Sequence, residues 1–226
     1  MRQPVGGCLP AAGVNLSPEE FIRRRLTLAP LPFRPYISLY RPTPQSGLIA
    51  FLAQNGRADD PPYWAYAWAG GAVLARYLED HPETVAGRTV LDFGAGSGLV
   101  GIAAARAGAA KIWAIEPDPI ALTAMMLNAE ANGVSLSPWT EPDLPEVDII
   151  LAGDVFYDAA VTRNTLPLLT AAAAESQVIV GDPFRRDLPL DRLEFLAEYA
   201  VPDMGGAAPV RAGVFALHPT HIGNAP

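Results

Sequence analysis

The chain has 226 residues, of which 50% are hydrophobic and 18% are charged. A chain of this composition buries enough apolar surface to offset the conformational entropy lost on folding, so global disorder is excluded. Its length favours one α/β domain over two small ones. Sixteen basic against twenty-four acidic residues give a formal net charge of −8, which is the wrong sign for a surface that neutralises nucleic-acid phosphates.

No segment approaches the roughly 18 consecutive apolar residues of a membrane-spanning helix, and the first residues lack the basic and apolar regions of a signal peptide. We therefore expect a soluble, unexported monomer, with neither a membrane nor a nucleic acid among its partners. Cys8 stands alone and the three histidines, His81, His218 and His221, are scattered. Neither a disulfide nor a metal site is expected from this pattern.

The first sixty residues are rich in proline and carry a single helix signal. Ser17 and Glu20 form a capping box, with Pro18 at the first helical position, and this predicts that a short helix begins there. We interpret residues 1–60 as an arm and residues 61–226 as the one folded domain.

The remainder of the chain alternates between helix and strand patterns. A first helix is predicted within residues 61–82, where apolar residues recur at helical spacing until Pro82 ends the pattern: Trp68, Ala72, Ala75 and Leu78. The predicted strands are 89–93, 111–116, 134–138, 147–152 and 177–181. The predicted helices are 98–108, 118–132, 160–175 and 188–198. Such alternation is typical of a mostly parallel sheet with helices on both faces, and a last run at 210–217 is expected to close the sheet as an edge hairpin.

The sharpest motif is the sequence LDFGAGSG at residues 91–98, between a predicted strand and a predicted helix. A glycine-rich turn at this place lets a ligand approach the backbone and the helix N-terminus. The NAD fingerprint G-x-G-x-x-G would need a glycine at Leu99, whereas the chain has glycines at 94, 96 and 98. We therefore predict that Gly94, Ala95, Gly96 and Gly98 bind a nucleotide-type cofactor other than NAD; the alternative is a tight turn without a ligand.

Acidic residues near this turn refine the cofactor prediction. A carboxylate at Asp92 would repel a pyrophosphate, but it suits the ammonium group in the methionine part of S-adenosylmethionine. Glu116 ends the next strand, where its carboxylate can accept hydrogen bonds from the ribose hydroxyls of either cofactor; a solvated strand-end acid is the alternative. Asp118 precedes Pro119 and is interpreted as a helix cap.

A second cluster of candidate residues follows the fourth strand, in the sequence LAGDVFYD at residues 151–158. Methyltransferases that act on nitrogen often place an acid or an amide here, then two residues and an aromatic, because the acid oxygen orients the amine and the aromatic face stabilises the developing cation. Asp154, Phe156 and Tyr157 fit this arrangement; the alternative is a capping acid followed by core aromatics. Trp68 and Trp139 are candidates to cover the cofactor, with ordinary packing as their alternative.

Several of these strings together resemble one family. PYWAYAWAGGAVLARYLEDHP, TVLDFGAGSG, IEPDPIALTAMMLNAEANG, LAGDVFYD and VIVGDPFRR are similar, in order and spacing, to the electron transfer flavoprotein β-subunit lysine methyltransferases, a branch of the seven-β-strand protein-lysine methyltransferases. The resemblance implies a class I methyltransferase, Rossmann-like fold with a seven-stranded, mostly parallel sheet. It also implies that S-adenosylmethionine is bound by Asp92, the glycine turn, Glu116 and Trp68, and that Asp154, Phe156 and Tyr157 receive the target lysine.

The implied reaction is transfer of a methyl group to a lysine of the electron transfer flavoprotein β subunit by a bacterial, cytoplasmic enzyme. Because no histidine lies in the motifs, we expect Asp154 to orient the amine and water to take the proton. The alternatives are an N-methyltransferase of a nicotinamide-like amine or of a ribosomal or translation protein, and a module that binds S-adenosylmethionine without turnover. A nicotinamide-dependent oxidoreductase is disfavoured by Leu99 and Asp92, and DNA adenine methylation by the net charge.

Overall fold

A computed structural model describes residues 16–204 and 208–219 of the chain. Six α-helices and nine β-strands lie in these ranges. The helices are α1 (Pro18–Arg25), α2 (Leu48–Gln54), α3 (Ala69–Asp80), α4 (Leu99–Arg106), α5 (Pro119–Ala131) and α6 (Ala159–Ala172). The strands are β1 (Thr27–Leu31), β2 (Arg34–Arg41), β3 (Thr89–Phe93), β4 (Lys111–Ile115), β5 (Ser137–Pro138), β6 (Ile149–Gly153), β7 (Gln177–Asp182), β8 (Leu193–Pro202) and β9 (Pro209–Leu217).

The proline-rich segment contains more structure than its sequence indicates. The capping box is confirmed: the Ser17 hydroxyl accepts a hydrogen bond from the Glu20 N–H, and the Glu20 carboxylate accepts one from the Ser17 N–H. Strands β1 and β2, which the sequence analysis did not predict, pair as an antiparallel hairpin. The Tyr40 N–H of this hairpin donates to the Asn128 side chain on α5 over 2.8 Å. The division of the chain near residue 60 stays a prediction.

The main sheet has seven strands in the order β5-β4-β3-β6-β7-β9-β8. The first five strands of this order run parallel, β9 runs antiparallel to them, and β8 at the edge runs antiparallel to β9. The predicted mostly parallel, seven-stranded sheet is confirmed. Strand β4 lies on one side of β3 and β6 lies on the other, so the order in which the chain adds strands reverses at β3. The carboxyl ends of β3, β4 and β6 therefore frame a crevice, the place where open α/β sheets bind ligands.

The two faces of the sheet are covered by different helices. Along β6, Ile149 and Leu151 pack in the cluster that contains the buried residues of α3 and α4, whereas Ile150 and Ala152 pack in the cluster that contains Leu169 of α6. All four of these strand residues are at most 1% exposed. A strand buried on both faces has a continuous hydrophobic sequence, and this is why the central strands were predictable.

One predicted element is wrong. Residues 188–198 were expected to form a helix, but a short 3-10 turn at Leu190–Arg192 leads into strand β8. Strand β8 pairs with β9 from Leu193 to Pro202, and this pairing between strands outweighs local helix propensity. The predicted closing hairpin is confirmed, although β9 lies inside the sheet and β8 forms its edge.

Within residues 16–204 and 208–219, we find no helix with the length and hydropathy that crossing a bilayer requires.

Candidate active site

A cavity of about 800 Å³ opens at the carboxyl edge of the parallel strands. Its lining includes residues 92–97 after β3, residues 115–118 after β4 and residues 153–155 after β6, together with aromatic side chains that precede α3. The sequence motifs on separate strands therefore meet around one space. Within the described residues, no three His, Cys, Asp or Glu side chains are grouped so that they could hold a metal ion.

The glycine turn adopts a backbone conformation that needs glycine. Gly94, Gly96 and Gly98 have φ angles of 72°, 50° and 78°, in the left-handed region that residues with a Cβ seldom adopt. Gly94, Ala95 and Gly96 line the cavity. Gly98 precedes α4 on the other side of the turn, where an added Cβ would lie 2.8 Å from Met125 Cγ. The structure thus places the first three predicted residues at the cavity and Gly98 against the core.

Asp92 is the most deeply buried acid that lines the cavity. The side chain is 1% exposed, and its Oδ2 accepts a hydrogen bond from the Gly101 N–H at 2.8 Å. Burial raises the pKa of Asp92 to about 7, and the negative charge of Glu116 adds to the increase. A bound cation would offset this cost of ionisation, whereas a diphosphate would increase it. The environment of Asp92 therefore fits a positively charged ligand group.

Glu116 connects the ends of two strands. One carboxylate oxygen accepts a hydrogen bond from the Gly96 N–H at 2.8 Å, and the other accepts one from the Asp118 N–H at 3.0 Å. Burial raises the pKa of Glu116. Because a carboxylate oxygen has two lone pairs, each oxygen keeps capacity for a ribose hydroxyl. The sequence prediction that Asp118 caps a helix is confirmed, since its side chain accepts from the Ile120 N–H.

Six aromatic residues line the cavity, and four of them are linked by ring contacts and form what we call the aromatic wall: Tyr63, Tyr66, Trp68 and Tyr157. The Tyr63 ring centroid lies 5.6 Å from that of Trp68 and 5.3 Å from that of Tyr157. Trp68 Nε1 also donates to the Tyr63 carbonyl at 2.7 Å. Tyr63 and Tyr157 remain 43% and 41% exposed, so their rings are available to a ligand. Trp68 and Tyr157 are predicted site residues, whereas Tyr63 and Tyr66 were not predicted, although they stand with Trp68 in the PYWAYAW string.

Besides Gly98, two predicted aromatic site residues do not reach the cavity. Phe156 is fully buried and packs in the hydrophobic cluster with Leu169 of α6. Trp139 packs edge-on against Trp113, with 5.0 Å between the ring centroids, and its Nε1 donates to the Asp143 carbonyl. Neither side chain is among those that line the cavity.

Asp154 lies at the cavity, and each of its two carboxylate oxygens accepts two hydrogen bonds from the protein. Its φ angle is 56°, an uncommon conformation for a residue with a side chain. Oδ2 accepts hydrogen bonds from the Gly70 and Gly71 N–H groups at the start of α3. Oδ1 accepts two bonds from the Arg185 guanidinium, from Nη2 at 2.8 Å and from Nε at 3.2 Å. Burial raises the pKa of Asp154, and Arg185 opposes that increase.

The approach of α3 to Asp154 depends on a glycine, which gives a stability prediction. A Cβ at Gly70 would overlap the Gly181 carbonyl and the Asp154 side chain, whereas a Cβ at Gly71 would lie 3.6 Å from Val100 in ordinary contact. We expect Gly70→Ala to lower the free energy of unfolding by about 1–3 kcal/mol. Gly71→Ala is the matched control in the same helix, and we expect it to be neutral or slightly stabilising. Equal melting temperatures for the two variants in a circular dichroism melt would contradict this packing.

The chain is similar in sequence to two groups of protein methyltransferases. A family model described as ribosomal protein L11 methyltransferase (PrmA) matches residues 75–155. The electron transfer flavoprotein beta subunit lysine methyltransferase of Xenopus laevis is 32% identical over 205 residues, which cover 82% of this chain and 80% of that protein. The Danio rerio protein of the same name is 40% identical over 153 residues, which cover 63% of this chain. This chain spans about 60% of the length of the Danio rerio relative and of its Rattus norvegicus counterpart.

A solved structure shares the fold. A Pyrococcus horikoshii protein, provisionally assigned as an RNA methyltransferase, superposes with a TM-score of 0.52 at 14% identity. The superposition covers 71% of this chain and 92% of that protein. At this identity the similarity concerns the fold alone, and it carries no information about the substrate.

Proposed function

The chain belongs to the electron transfer flavoprotein β-subunit lysine methyltransferase family, and we propose that it transfers a methyl group from S-adenosylmethionine to a lysine of the electron transfer flavoprotein β subunit. The observation that carries the proposal is one cavity lined by two groups of residues. Asp92 and Glu116 suit a cationic, ribose-containing cofactor, while Asp154 and the aromatic wall suit an amine.

The cofactor side fits S-adenosylmethionine. In the proposal, Asp92 faces the ammonium of the methionine part, Glu116 accepts hydrogen bonds from the ribose hydroxyls, and Gly94, Ala95 and Gly96 let the ligand approach the backbone. Trp68 flanks the ligand from the aromatic wall. When bound, S-adenosylmethionine supplies an electrophilic methyl group on a sulfonium, whose positive charge matches the acidic lining.

The acceptor side receives the amine. We assign Asp154 and Tyr157 to the lysine, with Tyr63 beside Tyr157 as an additional aromatic face for a cation. The Phe156 side chain is assigned a supporting role behind them, because it is buried in the core. The amine must lose its proton before it can attack, and for a lysine with an ordinary pKa this costs roughly 4 to 5 kcal/mol at pH 7. The rate acceleration then comes from positioning the amine against the methyl group and from desolvating it in the cavity.

Mass spectrometry tests the proposal directly. Purified electron transfer flavoprotein, incubated with this protein and S-adenosylmethionine, is expected to gain methyl groups on lysines of its β subunit. The family match over residues 75–155 favours ribosomal protein L11 as the second candidate substrate, so the same assay includes it. Methyl label that enters only the low-mass fraction of a cell extract would contradict a protein substrate, and cofactor binding without any transfer would indicate a binding module.

A further inference from the structure

Arg185 is a cavity residue for which the sequence analysis assigned no role. It follows β7 in the GDPFRR string, and its side chain is 27% exposed where it lines the cavity. Its guanidinium forms the two hydrogen bonds to Asp154 Oδ1 described above. Its backbone N–H donates to Asp182 Oδ1 at 2.6 Å, which fixes the residue at the end of the strand.

The charges that act most strongly on the Arg185 guanidinium are negative. Asp154, Asp182 and Asp203 are the three carboxylates whose charge acts on its guanidinium. Asp182 is fully buried, and its Oδ2 has no hydrogen-bond partner within the described part of the chain. Asp203 accepts from the Ala69 N–H at the start of α3. Burial raises the pKa of Asp182 to about 6, so this acid is also largely ionised above neutral pH.

This arrangement raises a chemical difficulty for methyl transfer. A protonated lysine beside uncompensated carboxylates is stabilised as the ammonium, and an ammonium has no lone pair with which to attack. Asp154 alone would therefore trap the acceptor in its unreactive form. The guanidinium that occupies Oδ1 removes much of this attraction, because the amine then meets an ion pair instead of a bare carboxylate.

We infer that Arg185 keeps the acceptor amine uncharged for methyl transfer by neutralising Asp154 against the surrounding acids. The inference rests on the proposed function. In the step it serves, the nitrogen lone pair forms a bond to the methyl carbon while the carbon–sulfur bond breaks and its electron pair stays on sulfur. The methylated nitrogen then releases its proton to water. Arg185 acts electrostatically through Asp154, as a positioning residue, and it neither accepts the proton nor contacts the methyl group.

The test compares the pH dependence of kcat for Arg185→Gln with that of the wild type. Without the guanidinium, the Asp154 carboxylate beside the amine has no paired cation, so we expect the alkaline rise in kcat to move upward by at least about one pH unit. At pH 7 this corresponds to roughly a tenfold loss of kcat, while activity returns to the wild-type plateau at high pH. Arg186→Gln is the matched control, because Arg186 is exposed and its ion-pair partner is Asp187; its profile is expected to be unchanged.

Two further variants test the direction in which charge changes near the amine shift the pH profile of kcat. Arg185→Lys keeps a cation and should restore most of the wild-type profile. Asp182→Asn removes one buried negative charge while retaining an acceptor for the Arg185 N–H, so we expect its profile to move in the opposite direction, toward lower pH. If Arg185→Gln does not fold, Asp182→Asn still provides a test, because an unchanged pH profile of this variant would contradict the electrostatic role inferred for Arg185.

A binding measurement gives a readout that does not depend on turnover. With S-adenosylhomocysteine present, calorimetry at pH 7 should show that Arg185→Gln binds the acceptor protein at least as tightly as the wild type does, because the ammonium form is favoured. Loss of kcat by one factor at every pH, or weaker acceptor binding, would overturn the inference and leave Arg185 a purely structural role. A wild-type protein that methylates no lysine would instead overturn the proposed function.

Discussion

Asp154→Asn is expected to lower kcat for the protein acceptor by at least about a hundredfold, while the Kd for S-adenosylmethionine stays within about twofold. The substitution retains an oxygen that can accept from the Gly70 and Gly71 N–H groups, so the start of α3 keeps its hydrogen bonds. It removes the negative charge that holds Arg185, and it places an amide N–H group toward the guanidinium, so the acceptor side of the cavity loses its ordered ion pair. Single-turnover transfer and calorimetry of cofactor binding measure the two quantities separately.

A more severe variant separates chemistry from folding. Asp154→Ala also leaves two N–H donors of α3 without a partner, and each such buried donor costs about 1–3 kcal/mol. We therefore expect Asp154→Ala to be less stable than Asp154→Asn but equally inactive. Asp59→Asn, which changes an exposed acid outside the cavity lining, controls for the loss of one charge. Near-normal turnover by Asp154→Asn would exclude Asp154 from the acceptor site.

The parts of the fold that the sequence predicted are those whose signals are local. A continuous apolar run such as Ile149–Ala152 fits a strand buried on both faces. The three glycines at 94, 96 and 98 predict a turn regardless of which elements follow them in the chain. The capping box at Ser17 is likewise complete within four residues. Elements that depend on contacts with another segment were missed, because their own residues carry no complete local signal. Strand β8 exists because β9 pairs with it, and hairpin β1–β2 is anchored through Asn128 on α5.

The site shows the same division at the level of single side chains. The LAGDVFYD string correctly indicated that its residues lie at the carboxyl edge of the sheet, but a string does not reveal which side chains face the cavity. The left-handed backbone at Asp154 precedes a segment in which Phe156 enters the core and Tyr157 remains exposed. Arg185 lies 31 positions from Asp154 along the chain, and only the adjacency of β6 and β7 brings the two together.

Asp92→Asn is expected to stabilise the free protein and to weaken its cofactor binding. In the folded chain the pKa of Asp92 is about 7, whereas its ordinary value is 3.8, so the folded state holds this proton to higher pH than the unfolded state does. The raised pKa means that Asp92 lowers stability progressively as pH increases from about 4 to about 7. An asparagine keeps the acceptor for the Gly101 N–H without the buried charge. We therefore expect its free energy of unfolding at pH 8 to increase by about 2 to 4 kcal/mol, with little change at pH 4.

Cofactor binding should change in the opposite direction, because the ammonium of S-adenosylmethionine loses its buried counter-ion. We expect the Kd of Asp92→Asn to rise at least about tenfold, and we expect the wild-type affinity, but not that of the variant, to decline as pH falls below about 7. Asp148→Asn is the matched control: this exposed acid accepts from the Thr89 N–H at the opposite end of β3, and it should show neither effect. A variant that binds S-adenosylmethionine normally, or binds NAD instead, would refute the cationic-ligand assignment. A buried acid that costs stability in the free protein and binds a cation in the complex is the behaviour expected of a site selected for its ligand.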